Sequence, residues 1–411
     1  MSVDASARPE AAVLDFGGSM TAAAVDRVLM AEYVSRTSYS ALEEFELDFS
    51  ATHFSEPAAL QSIVSICRTL LAQRKQVSFK LPRQQKERDF WRAWNFPQAL
   101  EAATGRTFRE LSAREDHVYF GEEQKFFRRS EINLDRTKGH QELAFLNHFP
   151  IYSKQVERGQ RAADVAYQFK NTWNAKHVQD VLHRKIGKNY GYFASRVVFE
   201  AIMNALRHPG ASLIQTGAID QAASKKSKAL SYLNAHFWDN GASIADTLYK
   251  AIQRGVRVRE GKEDEFKTNY LLRYEPDLNS PSQDVLVPFD VELNQSTPQH
   301  IALLATLFPL VTSAPVGEHF VDEELRSTHP RLAQRGMGLF VLINTVVEVM
   351  SGEVSFRTSN FFMNVRKPDG DEATKFPSAN LTVRIRRFPS TSTLFTGNLL
   401  VARIPIVPQH A

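Results

Sequence analysis

The chain has 411 residues, enough for about two or three domains of ordinary size. Hydrophobic residues account for 43% and charged residues for 23%, which is typical of globular proteins and disfavours disordered, collagen-like and coiled-coil classes. Lysine plus arginine total 50 against 46 for aspartate plus glutamate, so the net charge of +4 does not by itself indicate a nucleic-acid partner.

The cysteine content and the hydropathy pattern predict a cytoplasmic location. Cys67 is the single cysteine, so no intramolecular disulfide can form. The sequence starts without a secretory leader pattern, and no apolar run reaches the roughly 18 residues that a membrane span requires. We therefore expect neither secretion nor a membrane partner.

The first third of the chain predicts a small α/β domain. Residues 1–35 are expected to form an N-terminal arm with a helical stretch. The apolar residues of FELDFS then alternate as in a strand, the run from Pro57 to Arg74 has helical periodicity, and QVSFKLP is a second short strand. This strand–helix–strand order predicts a domain over residues 36–125.

The remainder predicts a connector and a second α/β block, and we find no internal repeat in the sequence as a whole. Residues 126–190 are expected to form a helical connector, and SLIQTGAI with KALSYLNAHFWD a β-hairpin. Residues 255–335 are Pro-rich, with one helix at QHIALLATLF, and their length is typical of a lid or binding element. A helix, RGMGLFVLINTVVEVMSG, and three strands follow: EVSFRTS, NLTVRIRRF and NLLVARIPIV.

The second block begins with a helix that carries Glu200 and Asn204. Four-residue spacing brings their side chains to one face of that helix. An amide oxygen is a suitable ligand for Mg²⁺, and a carboxylate can orient or deprotonate a nucleophile. We therefore interpret Glu200 as the candidate catalytic residue and Asn204 as the candidate ligand of a nucleotide-bound Mg²⁺.

Two further motifs have the chemistry of a nucleotide site. Asp239 ends a predicted strand, where its carboxylate can accept a hydrogen bond from an adenine amino group, and Gly241 lets the backbone approach a flat base. Gly336, Gly338 and Leu339 open a predicted helix, whose free N–H groups and dipole favour phosphate. Each motif taken singly is common in purely structural roles.

Together, in this order, these motifs resemble the GHKL (Bergerat-fold) ATPase domain over residues 190–407. The resemblance implies an α/β sandwich with a mixed, mainly antiparallel sheet covered by helices, which binds ATP and Mg²⁺. It matches Glu200 and Asn204 to the N box, and Arg207 to a phosphate-contacting position. Residues 255–335 would then form the ATP lid. Ser243 and Gln334 stand where the family usually has glycine.

The first domain resembles a STAS domain, the fold of anti-sigma-factor antagonists. Such antagonists carry a phosphorylatable hydroxyl near the loop that here contains Ser50, Thr52 and Ser55. The alternative is that these are ordinary loop and helix-capping hydroxyls.

These resemblances leave three functions open. The first is an ATPase that acts as a nucleotide-controlled conformational switch for a protein partner or for a second copy in a homodimer. The second is an anti-sigma-type serine/threonine kinase, and the third is a nucleotide-binding scaffold without turnover. The sequence disfavours a sensor histidine kinase, because none of its histidines has a phosphoacceptor context; the candidates are His140, His148, His177 and His183.

Nucleic acid and zinc are also disfavoured by the sequence. The basic clusters, such as Arg384 with Arg386 and Arg387, are short and lack interleaved aromatic residues. A single cysteine cannot supply a cysteine-rich zinc site, and the phosphate-binding motif GxxxxGK[ST] is absent from the sequence.

Overall fold

A computed structural model of the chain forms two compact units. The structure describes residues 12–35, 42–120, 143–150, 196–198, 200–202, 204–205, 211–221, 231–258, 267–277, 280–309, 311, 338–388 and 394–406. Unit 1 comprises Met1–Lys138, Phe145–His148 and Phe388–Thr396, and unit 2 comprises Gly139–Ala144, Phe149–Arg387 and Gly397–Ala411. The protein is of the α/β class, as the sequence predicts.

Unit 1 contains a parallel sheet with strand order β1-β3-β5 and a second pair, β2-β4. The strands are β1 (Ala12–Asp15), β2 (Gly18–Met20), β3 (Glu44–Asp48), β4 (Thr52–Ser55) and β5 (Gln76–Lys80). The helices are α1 (Ala22–Ser35), α2 (Pro57–Ala72), α3 (Gln85–Ala93), α4 (Phe96–Thr104) and α5 (Phe108–Leu111), followed by a 3₁₀ helix, Arg114–Phe120.

The expectation of an N-terminal arm over residues 1–35 is wrong for residues 12–35. These residues form β1, β2 and α1, and β1 pairs in parallel with β3. Leu14 and Phe16 are buried, so this segment contributes to the core of unit 1 and is not a peripheral extension.

Unit 1 also contains a repeat that the sequence analysis missed. The tripeptide Leu-Asp-Phe occurs at residues 14–16 and 47–49, and the two copies lie side by side in register. The Phe16 and Phe49 rings stack with their centroids 5.0 Å apart. Each copy is followed by a short strand and then a helix, so the unit is built from two similar strand–strand–helix segments.

Helix α2 is almost completely buried in unit 1. Pro57 stands in its first turn, where a missing N–H costs no helical hydrogen bond. Cys67 is fully buried in this helix, and burial raises the pKa of its thiol far above the ordinary value. Cys67 is therefore an inert core residue.

The larger sheet has nine strands among the described residues, in the order β10-β9-β13-β12-β11-β14-β8-β7-β6. All its described pairings are antiparallel except β13 with β9, which agrees with the predicted mixed, mainly antiparallel sheet. The strands are β6 (Leu143–Pro150), β7 (Leu213–Gln221), β8 (Ser231–Asp239), β9 (Asn269–Glu275), β10 (Gln283–Pro288), β11 (Glu353–Thr358), β12 (Phe361–Arg366), β13 (Leu381–Arg387) and β14 (Asn398–Ile406).

Helices pack against this sheet in one hydrophobic core, which includes Val197, Leu248, Leu303 and Leu342. The helical residues 196–198, 200–202, 204 and 205 are called the Glu200 helix below. The others are α6 (Ile244–Gln253), α7 (Gln299–Ala305), α8 (Gly338–Asn344) and α9 (Gly370–Lys375). Helix α8 continues into a π-helical turn, Thr345–Val349.

Much of the segment expected as a lid belongs to the fold itself. Within residues 255–335, β9 and β10 form an antiparallel pair, β9 also pairs with β13, and α7 lies in the core. The connector expected over residues 126–190 lies outside the described residues, apart from 143–150, which form strand β6 and not a helix.

Among the described residues, no helix has the length and apolar character needed to cross a bilayer.

Candidate functional site

A small cavity lies beside the end of β8, where the Glu200 helix, α6 and α8 approach the sheet. Its walls are mainly apolar and include Ile214, Phe237, Ile244, Leu339, Phe356 and Leu400. Three polar side chains also line it: Asn204, Asp239 and Asn398. Its volume is about 20 Å³, which is space for about one water molecule. An apolar slot with a few convergent polar groups is the usual composition of a small-molecule site.

The Asp239 carboxylate is the buried charge of this cavity, with 6% of the residue exposed. Its Oδ1 accepts hydrogen bonds from the Gly241 N–H at 2.8 Å and from Asn398 Nδ2 at 3.1 Å. Among the described residues, its Oδ2 has one contact, a longer one with Asn398 Nδ2 at 3.3 Å. Oδ2 therefore retains capacity to accept a hydrogen bond from a ligand.

Burial raises the pKa of Asp239 to about 7, and the bonds from Gly241 and Asn398 offset part of that rise. Near neutral pH the carboxyl group is therefore close to half ionised. A strongly shifted carboxyl group in a cavity is a recognised mark of a functional site.

Asn398 connects Asp239 to the start of α6, and the sequence analysis did not identify it as a site residue. Its Nδ2 donates to Asp239 and to the Ala242 carbonyl at 3.0 Å, and its Oδ1 accepts from the Ile244 N–H at 3.1 Å. It also accepts from Thr358 Oγ1 at 2.8 Å. The side chain is buried with all its hydrogen-bonding groups engaged, so it fixes the carboxylate and the helix together.

Strand register explains why Asn398 meets Asp239. The two residues are directly paired in the antiparallel alignment of β14 with β8, although they are distant in sequence. The signal in the sequence is the Thr-Gly-Asn at residues 396–398, which stands at the start of the last strand.

Gly241 is required because a side chain would not fit. A Cβ at this position would lie 2.9 Å from Asp239 Oδ1 and 3.0 Å from Ala211 Cβ. Because Gly241 has no side chain, its N–H can approach the Asp239 carboxylate closely. This role differs from the predicted one, which was close approach of a base to the backbone.

Ser243, which replaces a family glycine, caps helix α6. Its Oγ accepts the Asp246 N–H at 3.1 Å and lies 2.9 Å from Thr358 Oγ1. Ser243, which stands where the family usually has glycine, therefore caps helix α6 beside the cavity.

Asn204 lines the cavity, whereas Glu200 is in an ion pair. The Asn204 side-chain nitrogen is buried and has no hydrogen-bond partner among the described residues. Glu200 pairs with Arg196, one helical turn earlier, and both side chains are more than nine-tenths buried. Glu200 does not line the cavity.

The Asn204 amide fits the predicted Mg²⁺ ligand. Because oxygen and nitrogen of an amide exchange places by a simple flip, the orphaned end of Asn204 can present an oxygen to a cation held mainly by phosphates. The described residues contain no cluster of three or more histidine, cysteine or acidic side chains suited to a metal ion. Asn204 as a ligand of Mg²⁺ accordingly stays a prediction.

The second glycine motif is described only in part. Leu339 lines the cavity, and Gly338 is the first residue of α8. Gly336, Arg207 and Gln334 lie outside the described residues. The predicted phosphate contacts of Gly336 and Arg207 accordingly stay predictions.

In unit 1, two of the three candidate phosphorylation sites are buried. Thr52 Oγ1 donates to the Phe16 carbonyl at 2.8 Å, and Ser55 Oγ accepts from Trp91 Nε1 at 3.0 Å. Ser50 is half-buried in a turn, with its N–H bonded to Asp48. Ser50 is thus the most accessible of the three hydroxyls.

Comparisons of the chain with family models, curated proteins and solved structures found no match.

Proposed function

We propose that this chain is a Mg²⁺-dependent ATP-binding protein of the GHKL type, in which nucleotide binding acts as a conformational switch for a protein partner. The observation that carries the proposal is the buried Asp239 carboxylate, which faces an apolar slot and keeps one oxygen available. Adenine offers the complementary features, a flat apolar ring with an exocyclic amino donor. An ionised carboxylate is the strongest acceptor for such a donor.

If adenine binds at Asp239, the positions of Mg²⁺, the phosphates and the attacking water follow from the neighbouring residues. Asn204, which also lines the cavity, would hold Mg²⁺ beside the phosphates, and the start of α8 with Gly336 and Gly338 would receive the phosphates themselves. The bound Mg²⁺ would supply charge neutralisation during phosphoryl transfer. Glu200 would orient or deprotonate the attacking water once its carboxylate is freed from Arg196.

The switch proposal requires the cavity to open when nucleotide binds. A purine ring is larger than the space of about 20 Å³, so nucleotide entry requires side chains to move. Ile244 and Leu339 are 9% and 8% exposed, the highest values among the large apolar lining residues, so they form the outer wall. Movement of these residues, which stand at the start of α6 and α8, would transmit nucleotide binding to both helices.

A nucleotide-binding scaffold without turnover is a second candidate, favoured by the ion pair between Glu200 and Arg196. A carboxylate held by a buried guanidinium is a weaker base than a free one. If this pair persists with nucleotide bound, the protein would bind ATP without hydrolysing it.

One experiment separates these functions. The full chain is incubated with Mg²⁺ and γ-labelled ATP, and nucleotide binding, phosphate release and protein labelling are measured in the same sample. The switch ATPase predicts binding with slow phosphate release, and the scaffold predicts binding alone. Label on the chain or on an added STAS-like partner would indicate the kinase, whereas the absence of nucleotide binding would reject the proposal.

A further inference from the structure

We infer that Thr358 is a positioning residue for Asp239: its hydroxyl fixes the orientation in which the Asn398 side chain donates to the carboxylate. Thr358 ends β11, and all three residues belong to unit 2. The inference rests on the proposed function for its ligand, ATP, and on the hydrogen bonds of these residues for its mechanism. Thr358 is fully buried and does not line the cavity, so it touches no ligand itself.

The backbone of Asn398 is held close to Asp239. The two residues are paired directly in the alignment of β14 with β8. Gly397, just before Asn398, has a φ of +86°, and a Cβ there would lie only 1.9 Å from the Asp239 carbonyl oxygen. Because the two backbones are in such close contact, the geometry at the carboxylate depends on the orientation of the Asn398 side chain.

Two backbone groups define which end of the Asn398 amide faces Asp239. The Ile244 N–H can only donate, so the amide atom 3.1 Å from it is Oδ1. The Ala242 carbonyl can only accept, so the amide atom 3.0 Å from it is Nδ2. Nδ2 also faces Asp239, at 3.1 Å and 3.3 Å from its two oxygens, which is the long end of the range for a hydrogen bond.

The same reasoning gives the direction of the hydroxyl bonds. Asn398 Oδ1 can only accept, so Thr358 Oγ1, at 2.8 Å, donates to it. Thr358 has one hydroxyl hydrogen, so it accepts from Ser243 Oγ, at 2.9 Å. The Ser243 oxygen in turn accepts the Asp246 N–H. The result is a chain of hydrogen bonds with one direction that ends at the Asp239 carboxylate, and such chains strengthen their members.

Loss of the Thr358 hydroxyl would loosen the Asn398 side chain. Oδ1 would keep the Ile244 N–H as a donor, and the amide plane would be free to tilt about its χ2 torsion. Since the contacts of Nδ2 with Asp239 are already long, a small tilt would weaken them further. The bond from Asn398 favours the ionised carboxylate, so its weakening raises the pKa of Asp239 above the wild-type value of about 7.

Among the described residues, Asp239 is the only titratable side chain that lines this cavity. His236 of β8 lies on the opposite face of the sheet, because side chains alternate along a strand. On the elements around the cavity, these charged side chains are bonded to other groups: Glu200 to Arg196, Asp246 to Gln299, Arg357 to the Phe361 carbonyl, and Glu353 to Arg403. A difference in the titration of Asp239 between variants therefore reports on its own hydrogen bonds.

The test compares Thr358→Val with Thr358→Ser and with a matched control, Thr382→Val. Valine has nearly the shape of threonine but lacks the hydroxyl, whereas serine keeps the hydroxyl. Thr382, on β13, is also buried, but its hydroxyl donates to Glu372 Oε2 at 2.9 Å, and neither of these residues lines the cavity. All three variants are made in the full chain.

The first measurement needs no nucleotide. The pKa of Asp239 is determined from the pH dependence of its carboxyl ¹³C NMR signal. Thr358→Val should raise this pKa by about 0.5, the effect of weakening one hydrogen bond, while Thr358→Ser and Thr382→Val should leave it unchanged. The same pKa in Thr358→Val and Thr382→Val would overturn the inference and leave the proposed function untouched.

The second measurement is the affinity for Mg-ATP as a function of pH. If the ionised carboxylate binds adenine, a rise of about 0.5 in its pKa weakens binding about threefold at about pH 6. The effect should vanish at about pH 9, where the carboxyl group is ionised in both chains. A loss of affinity that is the same at every pH would overturn the inference. Absence of binding by the wild-type chain would instead reject the proposed function, and the NMR titration alone would then decide the inference.

Discussion

Each unit contains a buried carboxyl group with a raised pKa, and the two differ in what surrounds them. In unit 1, Glu87 is 5% exposed and burial raises its pKa, while Trp91 Nε1 donates to it at 3.1 Å and Ser55 bonds to it as well. In unit 2, Asp239 is similarly buried, but it lines a cavity and keeps Oδ2 available.

This contrast shows that burial and a raised pKa do not by themselves mark a binding site. The neighbours of Glu87 fill the space around it, since Trp91 also packs edge-on against Phe49 and Phe96. Asp239 instead has an unfilled side and a partner, Asn398, that holds it in place. Spare hydrogen-bonding capacity next to a cavity is the property that distinguishes the two groups.

The largest expected difference between the two units is in the stability cost of replacing one glycine in each. Gly397→Ala should destabilise unit 2 by at least about 4 kcal/mol, because its Cβ would meet the Asp239 carbonyl oxygen at 1.9 Å. Gly105→Ala in unit 1 has the same kind of positive φ, +69°, but open space around the Cβ, and should cost about 1 kcal/mol. Denaturant unfolding monitored for each unit checks both values, and similar costs would contradict the packing described for Gly397.

The role of Glu200 is tested with two variants. One removes the charge of Glu200 alone, and the other removes the charges of both Glu200 and Arg196. Glu200→Gln should lower ATP hydrolysis about 100-fold or more while nucleotide binding is retained, because the general base is lost. It also removes the charge of Glu200 from its ion pair with the buried Arg196, which destabilises the fold. The double variant Arg196→Gln/Glu200→Gln should recover stability but not hydrolysis.

Phosphate-release assays combined with thermal unfolding separate those two effects. Unchanged hydrolysis in Glu200→Gln would exclude this residue as the base. Absence of hydrolysis already in the wild-type chain, with nucleotide bound, would favour the scaffold.

A pH series compares the two carboxyl groups directly. Because the folded-state pKa of Asp239 is raised from 3.8 to about 7, its contribution to stability is greatest at low pH and is lost as the pH rises across that interval. Asp239→Asn should therefore be more stable than wild type at pH 8, by up to about 4 kcal/mol, and show little gain at pH 4. Glu87→Gln should show a change of the same sign, since the pKa of Glu87 is also raised.

The two variants should differ in nucleotide binding. Affinity for Mg-ATP should rise with pH through about 7 in the wild-type chain and in Glu87→Gln, as Asp239 ionises. Binding that is independent of pH between 6 and 8 would contradict the role of the Asp239 carboxylate.

Local periodicity predicted many elements of this fold correctly. The hairpin of β7 and β8, the helix α7 and the strands β11, β13 and β14 all agree with their sequence patterns. Strand β12 was missed because the turn before it is Ser359-Asn360, where Ser359 has φ of +49° without the glycine that usually signals such a turn. Strands β9 and β10 were missed because each is short and carries a charged residue, Arg273 in β9 and Asp284 in β10, and prolines stand at or just after their ends.

The candidate site was predictable where its residues lie close together in the chain. Asp239 with Gly241, and the position of Asn204 on a helix, follow from short motifs, and the structure brings Asp239, Asn204 and Leu339 to one cavity. Asn398 was not predictable from such motifs, since its role arises from strand register. The ion pair of Glu200 with Arg196 could have been predicted from their four-residue spacing on a helix. The spacing alone does not reveal that both side chains are buried.

The most direct test of the central claim is calorimetric titration of the full chain with Mg-ATP, comparing Asp239→Asn with Asp284→Asn. Asp284 is a partly exposed carboxylate of β10 that bonds to Arg273 at 2.9 Å and does not line the cavity, so its change is a matched loss of charge. Asp239→Asn should weaken binding about 50-fold, because an amide nitrogen at the Oδ2 position would oppose the adenine amino group. Asp284→Asn should bind like the wild-type chain. Equal affinities for the two variants, or no binding by the wild-type chain, would contradict the assignment of this cavity to adenine.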